Sequence, residues 1–275
     1  MKTFAVVGPS ETGKTTLIER LVDRLDERGS VATIKHLDHA PDIDTHGKDS
    51  ARHRDAGAAV THGISEDGWF ATGDARDLDE ILDGLAPDHD YAIVEGFSGR
   101  HLPTVILGDR DHAGHELAAA TDADEIDLDA VCVAIDDLEP RVTLESLVAE
   151  IKSAPNADRS GAIATFTGRV RTKDADDDAP TEHLEFEAYE GVADERLAAI
   201  IADLEAREGV QRVLAHHRTG VIASGEDIVF VVVLAGHREE AFTAVADGID
   251  RLKDEVPIFK KEVTADEQFW LHERA

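Results

Sequence analysis

The chain has 275 residues, which is long enough for two domains, and 42% of them are hydrophobic, which is enough for two cores. Asp and Glu number 59 against 28 Lys and Arg, so the formal net charge is −31, and we expect no nucleic-acid or membrane partner, since both are bound through basic faces. The acidic balance predicts adaptation to concentrated salt, and the absence of a signal peptide or long apolar run predicts a cytoplasmic protein.

The first motif follows a short apolar run over residues 3–7, which predicts a buried parallel strand. Residues 8–15 then match the complete G-x-x-x-x-G-K-[ST] pattern, and an amphipathic helix is predicted over 14–28. In this order the backbone N–H groups surround a phosphate chain, Lys14 neutralises the β and γ phosphates, and Thr15 offers a hydroxyl to Mg²⁺. The sequence therefore predicts a nucleotide site at Gly8, Glu11, Thr12, Gly13, Lys14, Thr15 and Thr16.

A stretch rich in His and Asp follows the second predicted strand, which covers residues 30–35. It fits either a metal site or a polar loop that leads into a helix beginning near Asp49 or Ser50, and the spacing does not decide between them. The lack of paired cysteines argues against a structural zinc. A loop at this place in a doubly wound sheet faces the nucleotide, so Lys48, Arg52 and Arg54 are candidate contacts to phosphate or base.

The rest of the first half continues to alternate strands and helices. We predict one or two strands over 59–71, a helix over 78–85, a buried strand over 89–97, and further strands over 104–107 and 130–135, the last with Cys132 as a buried thiol. Glu95 ends the strand over 89–97, where P-loop proteins place a carboxylate that reaches Mg²⁺ or orients a water. This alternation predicts a mostly parallel sheet covered by helices.

Several of these motifs together resemble the MobB family, the molybdopterin-guanine dinucleotide biosynthesis adapter proteins. They are Gly8–Thr16, Ile34–His36, Asp42–Ser50, Arg52–Arg54, Ala56–Ala58 and Val94–Phe97. The resemblance covers residues 1–139. It implies a homodimeric P-loop domain that binds GTP, with Mg²⁺ at Thr15 and Glu95 and with weak GTPase activity. The implied partner is the guanylyltransferase that joins GMP to molybdopterin.

The second half begins after the polar, proline-terminated break at residues 136–140. Its pattern predicts a capped helix over 143–151, a strand over 162–167 that turns through an acidic hairpin tip at 172–180, and a strand over 184–189 that pairs back. A helix over 193–207, strands over 211–217 and 228–234, a helix over 237–252 and a short strand near 269–270 follow. Such an order is typical of an α+β domain with a largely antiparallel sheet.

Lysine is scarce in this chain, yet Lys253, Lys260 and Lys261 fall within one short segment. Pro257 ends the preceding helix, so Lys253 is expected in its last turn and Lys260 in the extended run after it, with Val256, Ile258 and Phe259 against a core. Other cations, His217 among them, also stand at element ends. The cluster fits either a pocket for anions or a solvated helix end.

Residues 140–275 resemble the MoaE family, the catalytic large subunit of molybdopterin synthase. The motifs are Phe166–Arg171, Glu187–Tyr189, His217–Gly220, Gly225–Glu226, His237–Arg238, Ala241–Phe242, Leu252–Lys253 and Val256–Glu262. The resemblance implies that cyclic pyranopterin monophosphate is converted to molybdopterin with sulfur from the C-terminal thiocarboxylate of a small ubiquitin-like subunit, and without a cofactor. It implies two catalytic lysines, Lys253 and Lys260, and six substrate-binding residues, Arg169, Arg171, His237, Arg238, Lys261 and Glu262.

The sequence thus predicts an α/β P-loop NTPase domain over 1–139 followed by an α+β domain, similar to the synthase large subunit, over 140–275. Two departures from the second family are Phe259, where tryptophan is frequent, and the acidic insertion after Arg171. The alternative is a regulatory P-loop GTPase switch whose second half only binds a partner. A further alternative makes the first half a small-molecule kinase.

Overall fold

The computed structural model describes residues 1–39, 47, 49–173, 179–189, 191–264 and 268–271. The chain divides into two compact units, Met1–Arg141 and Val142–Ala275. The candidate contact Lys48, most of the His/Asp-rich stretch before it, and the centre of the predicted acidic hairpin tip lie outside the described residues. Among the residues described, no helix is both long and apolar enough to cross a bilayer.

The first unit is built on five parallel strands in the order β2-β5-β1-β6-β7. Strands β3 and β4 form a separate two-stranded antiparallel sheet. The elements are β1 (Lys2–Val7), α1 (Lys14–Asp26), β2 (Val31–Lys35), α2 (Asp49–Asp55), β3 (Val60–Ile64), β4 (Trp69–Gly73), α3 (Leu78–Leu85), β5 (Tyr91–Glu95), β6 (Thr104–Leu107), β7 (Glu116–Ala120) and α4 (Leu128–Asp136). The mostly parallel sheet predicted from the sequence is confirmed.

The predicted strand over 130–135 is wrong, because these residues form the helix α4. Asp127 caps this helix by accepting the backbone N–H groups of Asp129 and Ala130, each at 3.1 Å. Cys132 is fully buried, as predicted, while Val133 is exposed. A short apolar run does not distinguish a strand from a buried helix by periodicity, and the cap was the signal that decides. Strand β7 carries small alanines and was not predicted.

The second unit contains two antiparallel sheets, in the orders β10-β12-β8 and β11-β9-β13-β14. The elements are α5 (Leu144–Lys152), β8 (Ala162–Arg169), β9 (Thr181–Ala188), α6 (Val192–Glu205), β10 (Val210–His217), β11 (Gly220–Ala223), β12 (Asp227–Ala235), α7 (Arg238–Glu255), β13 (Ile258–Thr264) and β14 (Gln268–Leu271). All their pairings are antiparallel, so the predicted α+β class is confirmed.

The predicted hairpin between the strands now labelled β8 and β9 is wrong. β8 pairs with β12, and β9 pairs with β11 and β13, so the two neighbours in sequence lie in different sheets. β12 is buried from Ile228 to Ala235, which suits the centre of a sheet, and it takes β8 and β10 as its two partners. Burial of this central strand therefore decides the pairing over proximity in sequence.

The lysine segment joins α7 to β13. The helix ends at Glu255, two residues before Pro257, which places Lys253 in its last turn and Lys260 in the strand, as predicted. Val256 is buried, but Phe259 is 41% exposed, so the prediction that Phe259 packs into the core is wrong.

Candidate functional site

The loop between β1 and α1 has the close backbone approaches that its glycines permit. A Cβ atom on Gly8 would stand 2.5 Å from the carbonyl oxygen of Leu107, so no larger residue fits there without a shift. Gly13 has a φ of 83° and precedes α1, and a Cβ there would lie 2.8 Å from the Cβ of Ala123. Both glycines of the motif are therefore required by geometry.

The polar groups of this loop are arranged around Pro9. Lys14 Nζ donates to the carbonyl oxygen of Pro9 at 2.5 Å, and Thr12 Oγ1 donates to the same oxygen at 3.0 Å. No side chain caps the N-terminus of α1, which leaves its first N–H groups for a ligand. A helix N-terminus with a lysine beside it is suited to a phosphate. The other predicted residues Glu11, Thr15 and Thr16 are exposed at this loop.

Glu95 ends β5 and, together with Thr15, lines a cavity of about 640 Å³. A hydroxyl and a carboxylate are oxygen ligands of the kind that Mg²⁺ prefers, so the two side chains fit the predicted metal. Glu95 Oε1 lies 2.9 Å from Lys35 Nζ at the end of β2, and the Glu95 side chain is only 16% exposed. The pair fixes the carboxylate at the carboxyl edge of the sheet.

The described residues after β2 give no support for a metal site. Within the described part of the chain, no group of three or more His, Cys, Asp and Glu side chains is placed to hold an ion. Arg54 donates to Thr72 Oγ1 at 2.7 Å and to the carbonyl oxygen of Gly73 at 3.0 Å. Arg52 lies 3.5 Å from Asp49 on the exposed side of α2. Arg54 thus binds the hairpin β3-β4.

The second unit has a cavity of about 600 Å³ between α7 and the ends of its strands. Its apolar lining residues include Phe166, Leu184, Phe186, Ile228, Val229 and Leu252. Its charged and polar lining residues are Arg169, Arg171, Thr181, His217, Lys253, Lys260 and Glu262. In a chain with a net charge of −31, this is a concentration of positive groups, which suits an anionic ligand with an apolar ring.

Three elements position these charges. Lys253 projects from the last turn of α7 and has no hydrogen bond or ion pair with the residues that the structure describes. Lys260 and Glu262 are two residues apart on β13 and so share one face of the strand, and Glu262 accepts a hydrogen bond from Thr181 Oγ1. Arg169 ends β8, where its Nε lies 3.3 Å from Asp227 Oδ1.

Three residues predicted for the substrate do not line this cavity. His237 and Arg238 stand at the N-terminus of α7, and Arg238 and Lys253 are 15 positions apart, which corresponds to about 22 Å of helix. Lys261 lies on the opposite face of β13 from Lys260, and its Nζ is 3.0 Å from Glu185 Oε2. The hydrogen bond from Lys261 lowers the pKa of the Glu185 carboxyl. The cavity thus unites Arg169, Arg171, Lys253, Lys260 and Glu262.

Two polar side chains of the cavity, Thr181 and His217, had no role assigned from the sequence. His217, the last residue of β10, is half-buried, and its Nδ1 lies 2.8 Å from the carbonyl oxygen of Arg218. Its ring meets that of Phe186 edge-on at 5.0 Å. Burial lowers the pKa of His217. The sequence placed His217 among the cations at element ends, which fitted a pocket for anions, but it assigned this histidine no specific role.

The folds and these sites define a two-unit protein, in which a P-loop α/β unit precedes an α+β unit with a cation-lined cavity. Comparison with known families agrees with this division. The family model "Molybdopterin guanine dinucleotide synthesis protein B", or MobB, matches residues 3–134, and the model "MoaE protein" matches residues 140–255. A probable molybdopterin synthase of Haloferax volcanii is 52% identical over 270 residues, which cover 98% of this chain and 99% of the relative. The chain belongs to the family of this relative and joins a MobB region to a MoaE region.

Other relatives match one unit at a time. The molybdopterin synthase catalytic subunit of Yersinia pestis is 39% identical over 117 residues, 42% of this chain and 76% of the relative. Among solved structures, molybdopterin synthase from Staphylococcus aureus is 33% identical, with a TM-score of 0.40, over 42% of this chain and 83% of that one. Bacillus subtilis MobB is 25% identical, with a TM-score of 0.39, over 51% of this chain and 100% of that one.

Proposed function

We propose that the second unit makes molybdopterin by transferring sulfur from the C-terminal thiocarboxylate of a small ubiquitin-like subunit to cyclic pyranopterin monophosphate. The observation that carries this proposal is the single cavity that collects Arg169, Arg171, Lys253 and Lys260 in a strongly acidic chain. Both reactants are anions, through a phosphate and a thiocarboxylate, and guanidinium and ammonium groups bind such anions with charge-assisted hydrogen bonds. The apolar lining residues suit the pterin ring.

Lys253 has the central role in this proposal. Its ammonium group has no bond to the described part of the chain, so it is available to the terminal carbonyl of the donor tail. The donor sulfur attacks a pterin carbon that carries oxygen. The C–S bond forms as the C–O bond of that carbon breaks, the oxygen leaves with the electron pair of that bond, and a thioester then joins the two reactants. Water then adds to the thioester carbonyl, the C–S bond breaks, and the donor leaves as a carboxylate while the sulfur stays on the pterin. Lys253 stabilises the oxyanion of that addition.

Lys260 binds on the pterin side, and Arg171, with Arg169, binds the substrate phosphate. Glu262 lies beside Lys260 on the same face of β13. The proposed roles of His237 and Arg238 in substrate binding require a reactant or a second chain that reaches the other end of α7. We propose that the chain forms a homodimer, in which each chain would bring these residues to its neighbour's site.

The test mixes the full chain with the thiocarboxylated small subunit and the cyclic pterin, and measures the dithiolene product. Lys253→Ala should lower turnover at least about 100-fold, the usual effect of removing one oxyanion donor, with binding of the small subunit retained. Lys261→Ala is the matched control, because Lys261 faces Glu185 and does not line the cavity. Unchanged turnover in Lys253→Ala would remove the catalytic role. Partner binding without turnover by the wild-type chain would favour the regulatory switch.

For the first unit, we infer that GTP and Mg²⁺ bind at the loop of Gly8, Glu11, Thr12, Gly13, Lys14, Thr15 and Thr16, with Glu95 and Thr15 at the metal. The support is the glycine geometry of the loop and the uncapped N-terminus of α1. Such a unit would serve the guanylyltransferase as an adapter, with weak GTP hydrolysis. When bound, Mg²⁺ would neutralise phosphate charge.

The GTP site is tested by calorimetric titration of the full chain. Lys14→Ala should reduce GTP affinity at least tenfold, since a charge-assisted bond to phosphate contributes about 1.5–3 kcal/mol. Lys152→Ala, an exposed lysine at the end of α5, is the control. Retained affinity in Lys14→Ala would show that GTP binds elsewhere or not at all.

A further inference from the structure

The cavity of the second unit contains two neutral polar side chains, Thr181 and His217. Thr181 donates its hydroxyl proton to Glu262, whereas His217 has a ring nitrogen to offer a ligand. Strand β10 alternates its side chains between two faces, as all strands do. Val213, Ala215 and His217 therefore share the face toward the main core of this unit and its cavity, whereas Leu214 and His216 share the other face. Two adjacent histidines thus lie in different environments, and only one of them borders the cavity.

The hydrogen bond of His217 fixes which ring nitrogen carries the proton. A carbonyl oxygen can only accept, so the Nδ1 atom 2.8 Å from the Arg218 oxygen must be the donor. Burial lowers the pKa of His217, which keeps the ring neutral near pH 7. A neutral ring with its proton on Nδ1 has an unprotonated Nε2, and Nε2 has no hydrogen bond with the described residues.

This acceptor complements the rest of the cavity. The ammonium and guanidinium groups of Lys253, Lys260, Arg169 and Arg171 can only donate. The charged acceptor of the cavity is the Glu262 carboxylate, of which Oε1 accepts from Thr181, and Nε2 of His217 adds an uncharged acceptor. The phosphate of a bound heterocyclic phosphate would accept hydrogen bonds from those cations. The N–H groups of its ring would still need a hydrogen-bond acceptor. The edge-on contact with Phe186 holds the imidazole plane in place.

We propose that His217 contacts the reactant, accepting at Nε2 a hydrogen bond from an N–H or O–H group of the heterocycle in the cavity and so setting the orientation of its ring. This role rests on the proposed function for the identity of the heterocycle. It adds to that function a residue that distinguishes a ring with donor groups from a simple phosphate ester.

Two substitutions separate the acceptor from the donor of this side chain. His217→Gln places an amide oxygen near the position of Nε2 and keeps an acceptor in the cavity. His217→Asn places an amide N–H near Nδ1, keeps the bond to Arg218, and has no group that reaches the cavity. We expect His217→Asn to raise KM for the cyclic pterin about tenfold with kcat less affected, and His217→Gln to stay within about threefold of wild type.

His216→Gln is the matched control, because His216 belongs to the same strand and faces away from the cavity; its KM should match that of wild type. A raised KM in His217→Gln together with a normal KM in His217→Asn would mean that His217 acts only through its hydrogen bond to Arg218, which would overturn the proposal. Equal KM values in all variants would also overturn it. A wild-type chain that makes no product would refute the proposed function instead. In that case, calorimetric titration with the cyclic pterin still compares the affinities of the variants. If wild type did not bind the pterin, or if all variants bound it equally, the role of His217 would be overturned.

Discussion

His216 should make the stability of the second unit depend on pH. Burial, with smaller contributions from the charges of His217 and Arg218, lowers the pKa of His216 from 6.5 to about 4. A histidine whose pKa is lower in the folded chain takes up its proton first in the unfolded chain. Its neutral form therefore gives full stability above about pH 6.5, and that stability is lost as the pH falls toward 4. The loss amounts to about 2 kcal/mol between pH 7 and pH 5 and about 3 kcal/mol in total.

The measurement compares wild type with His216→Gln at pH 7 and pH 5 in one high-salt buffer. Hydrogen exchange in peptides from β10 and β12 gives the free energy of unfolding of this unit separately from the first. All other titrating groups are shared, and any constant cost of the substitution cancels. Between pH 7 and pH 5, the free energy of unfolding of wild type should fall by about 2 kcal/mol more than that of the variant. Equal losses would refute the argument, because they would mean that His216 is protonated as easily in the fold as outside it.

Three further substitutions follow from the geometry. Gly13→Ala would place a Cβ 2.8 Å from that of Ala123, and an alanine in the left-handed backbone conformation of this position costs about 1–2 kcal/mol. GTP affinity in calorimetry should therefore fall at least tenfold. Normal affinity would contradict the loop geometry. Thr143→Ala removes the cap of α5 and should cost about 1 kcal/mol in urea unfolding, whereas Thr143→Ser should cost little; similar costs would argue against capping. Lys260→Met should lower synthase turnover and Lys261→Met should not, since the two lysines face opposite sides of β13; equal effects would count against the cavity.

Elements with local signals were predicted well from the sequence. Helix α3 (Leu78–Leu85) has the predicted bounds, and its N-cap Asp77 forms a capping box with Glu80. Helix α5 follows Thr143, which caps it. In these cases the signal and the structure it determines lie within a few residues of each other, so the chain itself carries the information.

Errors had two causes, a local signal that was overlooked and a dependence on distant residues. The apolar run around Cys132 fits a strand or a buried helix equally well, and the local cap at Asp127, which favours the helix, was overlooked; packing beside α1 also favours the helix. β8 and β9 are neighbours in sequence, but the pairing of each is decided by strands much later in the chain. The sequence of residues 162–188 alone does not indicate which later strands these two strands pair with.

The residue types of the candidate cavity could be predicted from the sequence, but which of these residues come together could not. Lys260 and Lys261 lie on opposite faces of β13 because side chains alternate along a strand. Lys253 and Arg238 lie far apart because most of the length of α7 separates them. What assembles the site is the pairing of β13 with β9, which sets Lys260 opposite Phe186 and Glu262 opposite Leu184. A shift of that pairing by one residue would turn Lys261 toward the cavity and remove Lys260 and Glu262. The charge of the cavity therefore depends on a register that is fixed by burial of the strand's apolar neighbours, and a cluster of lysines in sequence does not by itself make a cationic pocket.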